Sequence, residues 1–424
     1  MAIIFGVFGI LMFLGVPIFY ALAGSSLAYF YVNDIPAWTV VQRQFVGLNS
    51  FVQVAVPLFV LAGNLMDAGG SLERIIHFAK VAVGRFKGGM AHVNILASMM
   101  FAGVTGSAVA DVAALGPLEI QMMTKQGYDK TYATALTCAS ASVGPIIPPS
   151  LPLIMYGVVS GTSVGALLIA GLVPGVLMGL GLMIQVVYYA HKYNFPTSDA
   201  YPLRVVLKEF VHAILSMAII IVVLVGIYTG FFTPTEAAGF ACLVAFILGK
   251  FVYRQLKWRD IPGLLIRTTR VLGSCSAIFA IAACFSYVIT LENVPKIFAD
   301  FLLGFSSNKY VMLLLVNIML LFIGCFMEGL SAILIITPMI LPMLISLDVD
   351  PILVGVILAV NTTLGLLTPP LGLSLFMASS VTDIPVLTIA KKAMPMFLML
   401  VGILLVLTYV PEITLFLPRL MFGS

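Results

Sequence analysis

Long apolar runs dominate the chain and recur between short polar interruptions. The runs Ile3–Tyr31, Phe51–Met66, Leu167–Tyr189, Phe210–Tyr228, Ala237–Tyr253, Leu272–Thr290 and Met394–Val410 carry few or no charges. About 20 such residues in a helix reach across a bilayer's hydrocarbon core. The runs lack the weaker, alternating pattern of an outer-membrane barrel strand, so each is read as a helix. Two stretches differ: "SLERIIHFAKVAVGRFKG" from Ser71 and "ENVPKIFADFLLGFSS" from Glu292 mix charge with apolar positions at helical spacing. That pattern predicts helices lying along the membrane plane.

Two further apolar stretches contain adjacent prolines: "GPIIPPSLPLIMYG" from Gly144 and "GLLTPPLGLSLFMA" from Gly365. Interior proline removes a backbone donor and clashes with the preceding turn, at about 3 kcal/mol. Each stretch is therefore predicted to be a helix broken inside the membrane. Gly144 and Gly365 are read as ends of first half-helices. The pairs Pro148–Pro149 and Pro369–Pro370 are read as first turns of second half-helices, where proline's missing N–H costs little. Asp129 and Asp350 precede the broken helices as expected N-caps. "TPTE" from Thr233 reads as a capping box closed by Glu236.

The two breaks belong to a repeat. At an offset of 221 positions Gly103 meets Gly324, Pro117 meets Pro338, Asp129 meets Asp350, Gly144 meets Gly365, and Pro148–Pro149 meets Pro369–Pro370. Repeated halves with interrupted apolar segments at matching places point to a secondary transporter. Val93–Lys125 and Met312–Ser346 are read as re-entrant hairpins, with arms of about 15 residues that reach partway through the core. With nine other crossings, 17 of the 21 Lys and Arg fall on one side and four on the other. By the positive-inside rule the N-terminus is expected in the cytoplasm and the C-terminus outside. The repeats then run in opposite senses. The expected fold is an all-α polytopic membrane protein: a first inverted repeat over 1–200, a linker helix over 201–230 and a second repeat over 231–424.

Composition agrees. The 424 residues are 61% hydrophobic and 9% charged, with mean hydropathy +1.15, against about 25% charged in soluble domains. The first run lacks a basic leader and a cleavage site, so it is expected to stay as a helix. The five cysteines show no metal-ligand spacing and read as buried thiols. His77, His92, His191 and His212 form no ligand set, and no nucleophile–base arrangement or nucleic-acid patch is seen. A transporter, not an enzyme, is expected.

Around the breaks the sequence turns hydroxyl- and amide-rich: Ser140, Ser142 and Ser150 in the first repeat, Asn361, Thr362, Thr363 and Thr368 in the second. The hairpin centres add Thr105, Ser107, Glu328 and Ser331. Hard, weakly charged oxygens suit Na⁺, whereas Ca²⁺ wants several carboxylates. The competing reading is that each hydroxyl bonds to its own helix backbone. Ser107, Ser140, Pro149, Ser150, Asn361 and Pro370 are candidates for substrate contact. Asp111 is read as a cap or brace for its hairpin, Glu328 as part of a cation or proton site, and Glu119 as a solvated residue near the cytoplasmic mouth. No Lys or Arg falls at a hairpin centre or break. An anionic substrate would then rely on half-helix N-termini and co-bound Na⁺ for positive field, which is a physical reason for symport.

"GVTGSAVADVAALGPLEIQMM" from Gly103, "PIIPPSLPLIMYGVVSGTSVGALLIAGLVPG" from Pro145, "GFFTPTEAAG" from Gly230 and "TPPLG" from Thr368 resemble the large membrane subunit of tripartite ATP-independent periplasmic (TRAP) transporters. The resemblance covers essentially the whole chain. It implies an ion-transporter-type elevator fold in the bacterial inner membrane and Na⁺-driven uptake of an organic acid. Sialic acid is the nearer branch, with C4-dicarboxylates next. It also implies a small four-helix membrane subunit and a periplasmic substrate-binding protein as partners. Carried over from the family, the Na⁺ positions are Gly103, Thr105 and Ser107, then Ser142 and Gly144, and in the second repeat Gly324, Glu328, Asn361, Thr362, Thr363, Gly365 and Thr368. Na⁺ is the only metal implied. The alternatives are a self-sufficient carboxylate carrier of the same fold and an anion channel.

Overall fold

The computed structural model describes residues 2–16, 18–49, 54–193, 195–197, 222–227, 229–294, 308–327, 329–369 and 372–422, with scattered residues at 202–215 and 296–304. Glu328, Pro370, most of the 201–230 linker and most of the second in-plane stretch lie outside them. All regular structure among the described residues is helical.

The first apolar run is two helices, α1 (Ala2–Phe13) and α2 (Ile18–Val32), packed against each other, and not the one helix expected over Ile3–Tyr31. The turn has Gly15 at φ 75°, a conformation that glycine adopts without a steric penalty. Pro17 follows in the sequence and has no N–H to continue the ladder. Then come α3 (Ala37–Leu48), α4 (Ala55–Ala68) and α5 (Ser71–Val83). Helix α5 turns 73° from α4, beginning after Gly70 at φ 77°.

The first hairpin comprises α6 (Gly89–Thr105), a tip at Gly106–Ser107, and a return arm of α7 (Ala108–Ala114) and α8 (Gly116–Lys125). The first broken helix is α9 (Lys130–Ala141), a 3-10 turn at Gly144–Ile146, and α10 (Leu151–Ser160), with a 41° bend. Helix α11 (Val164–Lys192) is 29 residues long. The second half holds α12 (Pro234–Ile247) with a π turn to Val252, and α13 (Ile261–Leu291). Its hairpin is α14 (Lys309–Phe326) and α15 (Gly329–Ser346). Its broken helix is α16 (Pro351–Gly365) and α17 (Leu373–Thr382). Helices α18 (Val386–Tyr409) and α19 (Pro411–Phe422) close the chain.

Local chemistry explains these boundaries. Asp129 accepts from Tyr132 N and Asp350 from Ile352 N, each capping its broken helix. Thr233 and Glu236 form the reciprocal capping box of α12. The hairpin arms exceed the expected length, at 17 residues for α6 and 18 each for α14 and α15. Helix α14 starts earlier than expected because Asn308 caps it. The double prolines do not start the second half-helices. Those begin at Leu151, capped by Ser150, and at Leu373, after Gly372 at φ 47°. Pro148–Pro149 and Pro369 lie within the breaks, and Pro152 is the first-turn proline of α10. Gly365 does end α16, whereas Gly144 sits in the 3-10 turn beyond Ala141.

Among the described residues α11, α12 with its π turn, α15 and α18 are each long and apolar enough to cross a membrane, and two bent pairs raise the number to six. One core unites the hairpins and broken helices with α4, α11, α12 and α18. A smaller one joins α1, α2 and α13 through Ile4, Leu22, Phe30 and Phe285. Helix α3 packs along α13, and α4 along α12. Where α4 ends, a methyl on Gly69 would lie 2.9 Å from Gly249 Cα.

The close backbone approach of the second repeat predicts a stability effect. A methyl on Gly365 would lie 2.4 Å from the Gly324 carbonyl carbon, with backbone and no flexible side chain in the way. Gly365→Ala is expected to destabilise by about 2 kcal/mol through overpacking. Gly402→Ala, with nothing within 4 Å, is expected to leave the detergent unfolding midpoint unchanged. Equal midpoints for the two variants would contradict the packing. Thr233→Ala is expected to cost about 1 kcal/mol through loss of the α12 cap, measured in the same way.

Candidate functional site

The hairpins and broken helices interlock by one rule in both halves. Each hairpin's first arm packs along the first half of its own broken helix, α6 on α9 and α14 on α16. Each second half-helix packs across the repeat boundary, α10 on α15 and α17 on α7. The breaks are thus buried in protein, the condition under which irregular backbone is tolerated at membrane depth.

In the first repeat the hairpin tip lies on the break. Gly106 has φ 62°, and a Cβ there would sit 2.5 Å from Leu151 Cγ, the first residue of α10. Ser107 caps α7, its hydroxyl accepting from Ala110 N. Gly103 and Thr105 are in the last turn of α6. Ser142 Oγ donates to Ala139 O at 2.7 Å. Ser150 donates to Pro145 O across the break and accepts from Leu153 N. Pro149 is buried beside it. The hydroxyls of Ser142 and Ser150 therefore serve the local backbone, and their oxygens retain accepting capacity.

In the second repeat the tip and the break are joined more directly. Cys325 Sγ donates to Thr368 O at 3.0 Å, and Gly372 N donates to Cys325 O at 3.3 Å. Gly324 abuts Gly365, and Gly329 abuts Thr362. The structure thus brings Gly324, Asn361, Thr362, Gly365 and Thr368 together. The hydroxyls of Thr362, Thr363 and Thr368 donate to carbonyls three or four residues back, the back-bonding typical of Ser and Thr in helices.

Asn361 differs from those hydroxyls. Its amide nitrogen donates to Asn317 Oδ1 at 2.7 Å and to Ile357 O at 2.8 Å. Both N–H hydrogens are committed, which fixes the position of Oδ1, and it is buried without a hydrogen-bond partner among the described residues. A buried acceptor without a donor is costly, and it is the kind of hard oxygen that an alkali cation takes. Next to it, Asn317 Nδ2 donates to Thr408 Oγ1 at 3.1 Å, tying the pair to α18.

Ser140, at the position matching Asn361, makes the corresponding contact in the first repeat. Its hydroxyl donates to Asn94 Oδ1 at 2.7 Å and is engaged by Ser98 at 3.2 Å. Ser140 therefore braces α9 against α6 and does not present a free group at the break. Asn94 Nδ2 reaches Thr137 Oγ1 at 2.7 Å and Glu119 Oε2 at 3.0 Å. Glu119 is 3% exposed, so it is not the solvated mouth residue expected. The turns of α8 that bury Ile120 and Met123 bury it too. Asp111 lies inside α7 and not at its cap, 1% exposed.

Sequence reading missed Asn94, Ser98, Asn317 and Thr408. The available signal was a lone amide in the first arm of each hairpin, Asn94 and Asn317, surrounded by apolar residues. An open cleft of about 440 Å³ lies where α17 meets α7, lined by Val109, Leu373, Phe376, Met377 and Ser380.

Known proteins match this architecture. The chain is 38% identical over 99% of its length to the sialic acid TRAP transporter large permease protein SiaM of Vibrio cholerae, and covers 98% of that protein. It is 37% identical to the C4-dicarboxylate TRAP transporter large permease protein DctM of Pseudomonas aeruginosa, over 87% of this chain and 86% of that one. Among solved structures the YdaH transporter of Alcanivorax borkumensis superposes with a TM-score of 0.60 at 16% identity, covering 91% of this chain and 88% of that one. That likeness is one of fold. Residues 5–413 match the family described as the tripartite ATP-independent periplasmic transporter, DctM component, and with relatives this similar along nearly the whole length, the chain is a member of that family of transporter permeases.

Proposed function

We propose that the chain is the large permease subunit of a Na⁺-coupled TRAP transporter that takes up an organic acid. It would work in the bacterial inner membrane with a small four-helix membrane subunit and a periplasmic substrate-binding protein. The relative named as a sialic acid permease and the one named as a C4-dicarboxylate permease bracket the substrate class, and sialic acid is the first choice. The observation that carries the Na⁺ reading is the Asn361 side chain, a buried oxygen held in position by two donated hydrogen bonds.

Na⁺ would be held in the second repeat by Asn361 Oδ1 with oxygens of the Gly324, Thr362, Gly365 and Thr368 segment. In the first repeat it would be held by the hairpin end at Gly103–Ser107 with Ser142 and Gly144 of the break. Bound Na⁺ supplies positive field to a substrate carboxylate; the chain's own residues orient it. Ser107, Ser150 and the amide groups opening α10 and α17 would face the acid from the two breaks, with Pro149 shaping the approach in the first. The cleft between α7 and α17 gives the substrate a path bounded by both repeats. The transport domain in this reading is the two hairpins and two broken helices, moving as an elevator against the rest of the protein. Differential binding between two end states is what couples cation and acid.

Two experiments test the reading. Proteoliposomes holding this chain with its small subunit and binding protein are expected to accumulate sialic acid down a Na⁺ gradient, and succinate less well. Uptake that is unaffected by removing Na⁺ overturns the coupling. Replacing Asn361 by Ala is expected to raise the Na⁺ concentration for half-maximal uptake about tenfold, equivalent to about 1.4 kcal/mol, and Ser107→Ala to weaken substrate affinity in the same assay. Unaltered Na⁺ dependence in Asn361→Ala removes that residue from the cation site.

A further inference from the structure

The two halves brace their hairpins in parallel ways, but among the described residues only the first places carboxylates on its return arm. Asn94 and Ser140 do for α6 and α9 what Asn317 and Asn361 do for α14 and α16. On the return arm, Asp111 and Glu119 fall at the offset of 221 positions on Ala332 and Ile340, which are 0% and 1% exposed. The second hairpin therefore packs its return arm with neutral side chains, Ser331 and Thr337 among them, and with no carboxylate among its described residues. Holding a hairpin in place does not require the acids, so their presence in the first asks for another reason.

Glu119 Oε2 accepts from Asn94 Nδ2, whereas Glu119 Oε1 is buried with no hydrogen-bond partner among the described residues, as is Asp111 Oδ1. The side chains that reach the two acids are neutral: Asn94 and Thr137 at Glu119, and Ser98 at Asp111. The acids lie close enough to interact electrostatically. An ionised carboxylate moved into such surroundings without a counter-charge takes up a proton instead of remaining charged. With Asp111 beside it, two simultaneous charges are excluded more strongly still.

We propose that Glu119 is a proton-binding site, its carboxyl kept protonated inside the first hairpin at neutral pH. The neutral acid completes the polar chain Thr137–Asn94–Ser140–Ser98 without placing a charge at the junction of α8 with α6 and α9. Raising the pH removes the proton, leaves a charge beside Asp111, and loosens that junction. The other titratable groups on the packed elements have different surroundings. His92 on α6 lies against Phe86, and Asp129 and Lys130 at the start of α9 serve a cap and the Thr382 carbonyl. Tyr132 stacks with Tyr128 and Phe195, and Cys138 contacts the Ser374 carbonyl. Lys125 at the end of α8 and Asp383 after α17 are exposed.

Infrared spectroscopy of the full chain in lipid tests this without requiring transport. Wild type at neutral pH is expected to show a protonated carboxylic C=O band that shifts on deuteration. Glu119→Gln is expected to lose it, and Asp111→Asn to retain a shifted band. The unfolding midpoint of wild type is expected to fall from neutral to alkaline pH. That of Glu119→Gln, whose amide mimics the protonated acid, is expected to stay level across the same range. Glu119→Met supplies a neutral variant of similar length should the glutamine variant fold poorly. A neutral-pH spectrum without a band that depends on Glu119 overturns the proposal. So does a band that vanishes on adding Na⁺, since the site would then hold the metal cation.

Discussion

A carbonyl or amide without a partner inside a bilayer has no water to turn to, and every interruption of a spanning helix creates several at once. Both broken helices in this chain answer that constraint with protein. The hairpin of the same repeat lies along the first half of the broken helix, and the second half crosses to the other repeat. Hydroxyls and a thiol then close individual gaps: Ser150 on the Pro145 carbonyl, Cys325 on the Thr368 carbonyl. A polar group that stays unpaired at such a break is therefore informative. Asn361 Oδ1 is such a group, and its orientation is fixed by two bonds from the other end of the same amide.

Close backbone approach makes the second repeat's arrangement possible. Gly324 and Gly365 meet with no side chain between them, and Gly329 lies against the Thr362 side chain. Glycine is needed there for space, whereas Gly106 and Gly372 are needed for positive φ. The first repeat reaches a similar contact through Gly106 against Leu151. Equivalent positions thus carry different chemistry. Ser140 faces inward to a polar brace where Asn361 leaves an oxygen open. The fold is repeated, but its ligand-competent atoms are not distributed equally between the two halves.

The sequence made the large punctuation readable. Gly and Pro marked both breaks, the fixed offset exposed the repeat, and Asp129, Asp350 and "TPTE" marked helix starts that the structure contains. Finer placement was beyond it. Two prolines in a row say that a helix stops, but Ser150 and Gly372, with their capping geometry, decide where the next one begins. The turn at Gly15 was hidden because apolar residues flank it on both sides, leaving the run unbroken by composition. Glu119 was misjudged for a related reason. Its place at the cytoplasmic end of the hairpin was read as a solvated mouth, whereas its helix face is set by α9 and α6, which sequence does not locate.

The candidate site was legible as two neighbourhoods and not as atoms. Hydroxyl-rich composition near a break identifies a polar region, yet Thr362, Thr363 and Thr368 all donate to their own helix, as the competing reading held. A donating hydroxyl can still present a lone pair, so back-bonding and ligation are compatible. The discriminating property is whether an oxygen is left with an unmet demand after the local bonds are counted. By that criterion Asn361 in the second repeat and Glu119 in the first both qualify among the described residues, one neutral and one acidic. They sit on opposite repeats of a structure whose halves interlock through α10 on α15 and α17 on α7. A cation or proton at either of them would act on a helix that also borders the other half, since α16 packs on α10 and α8 on α17.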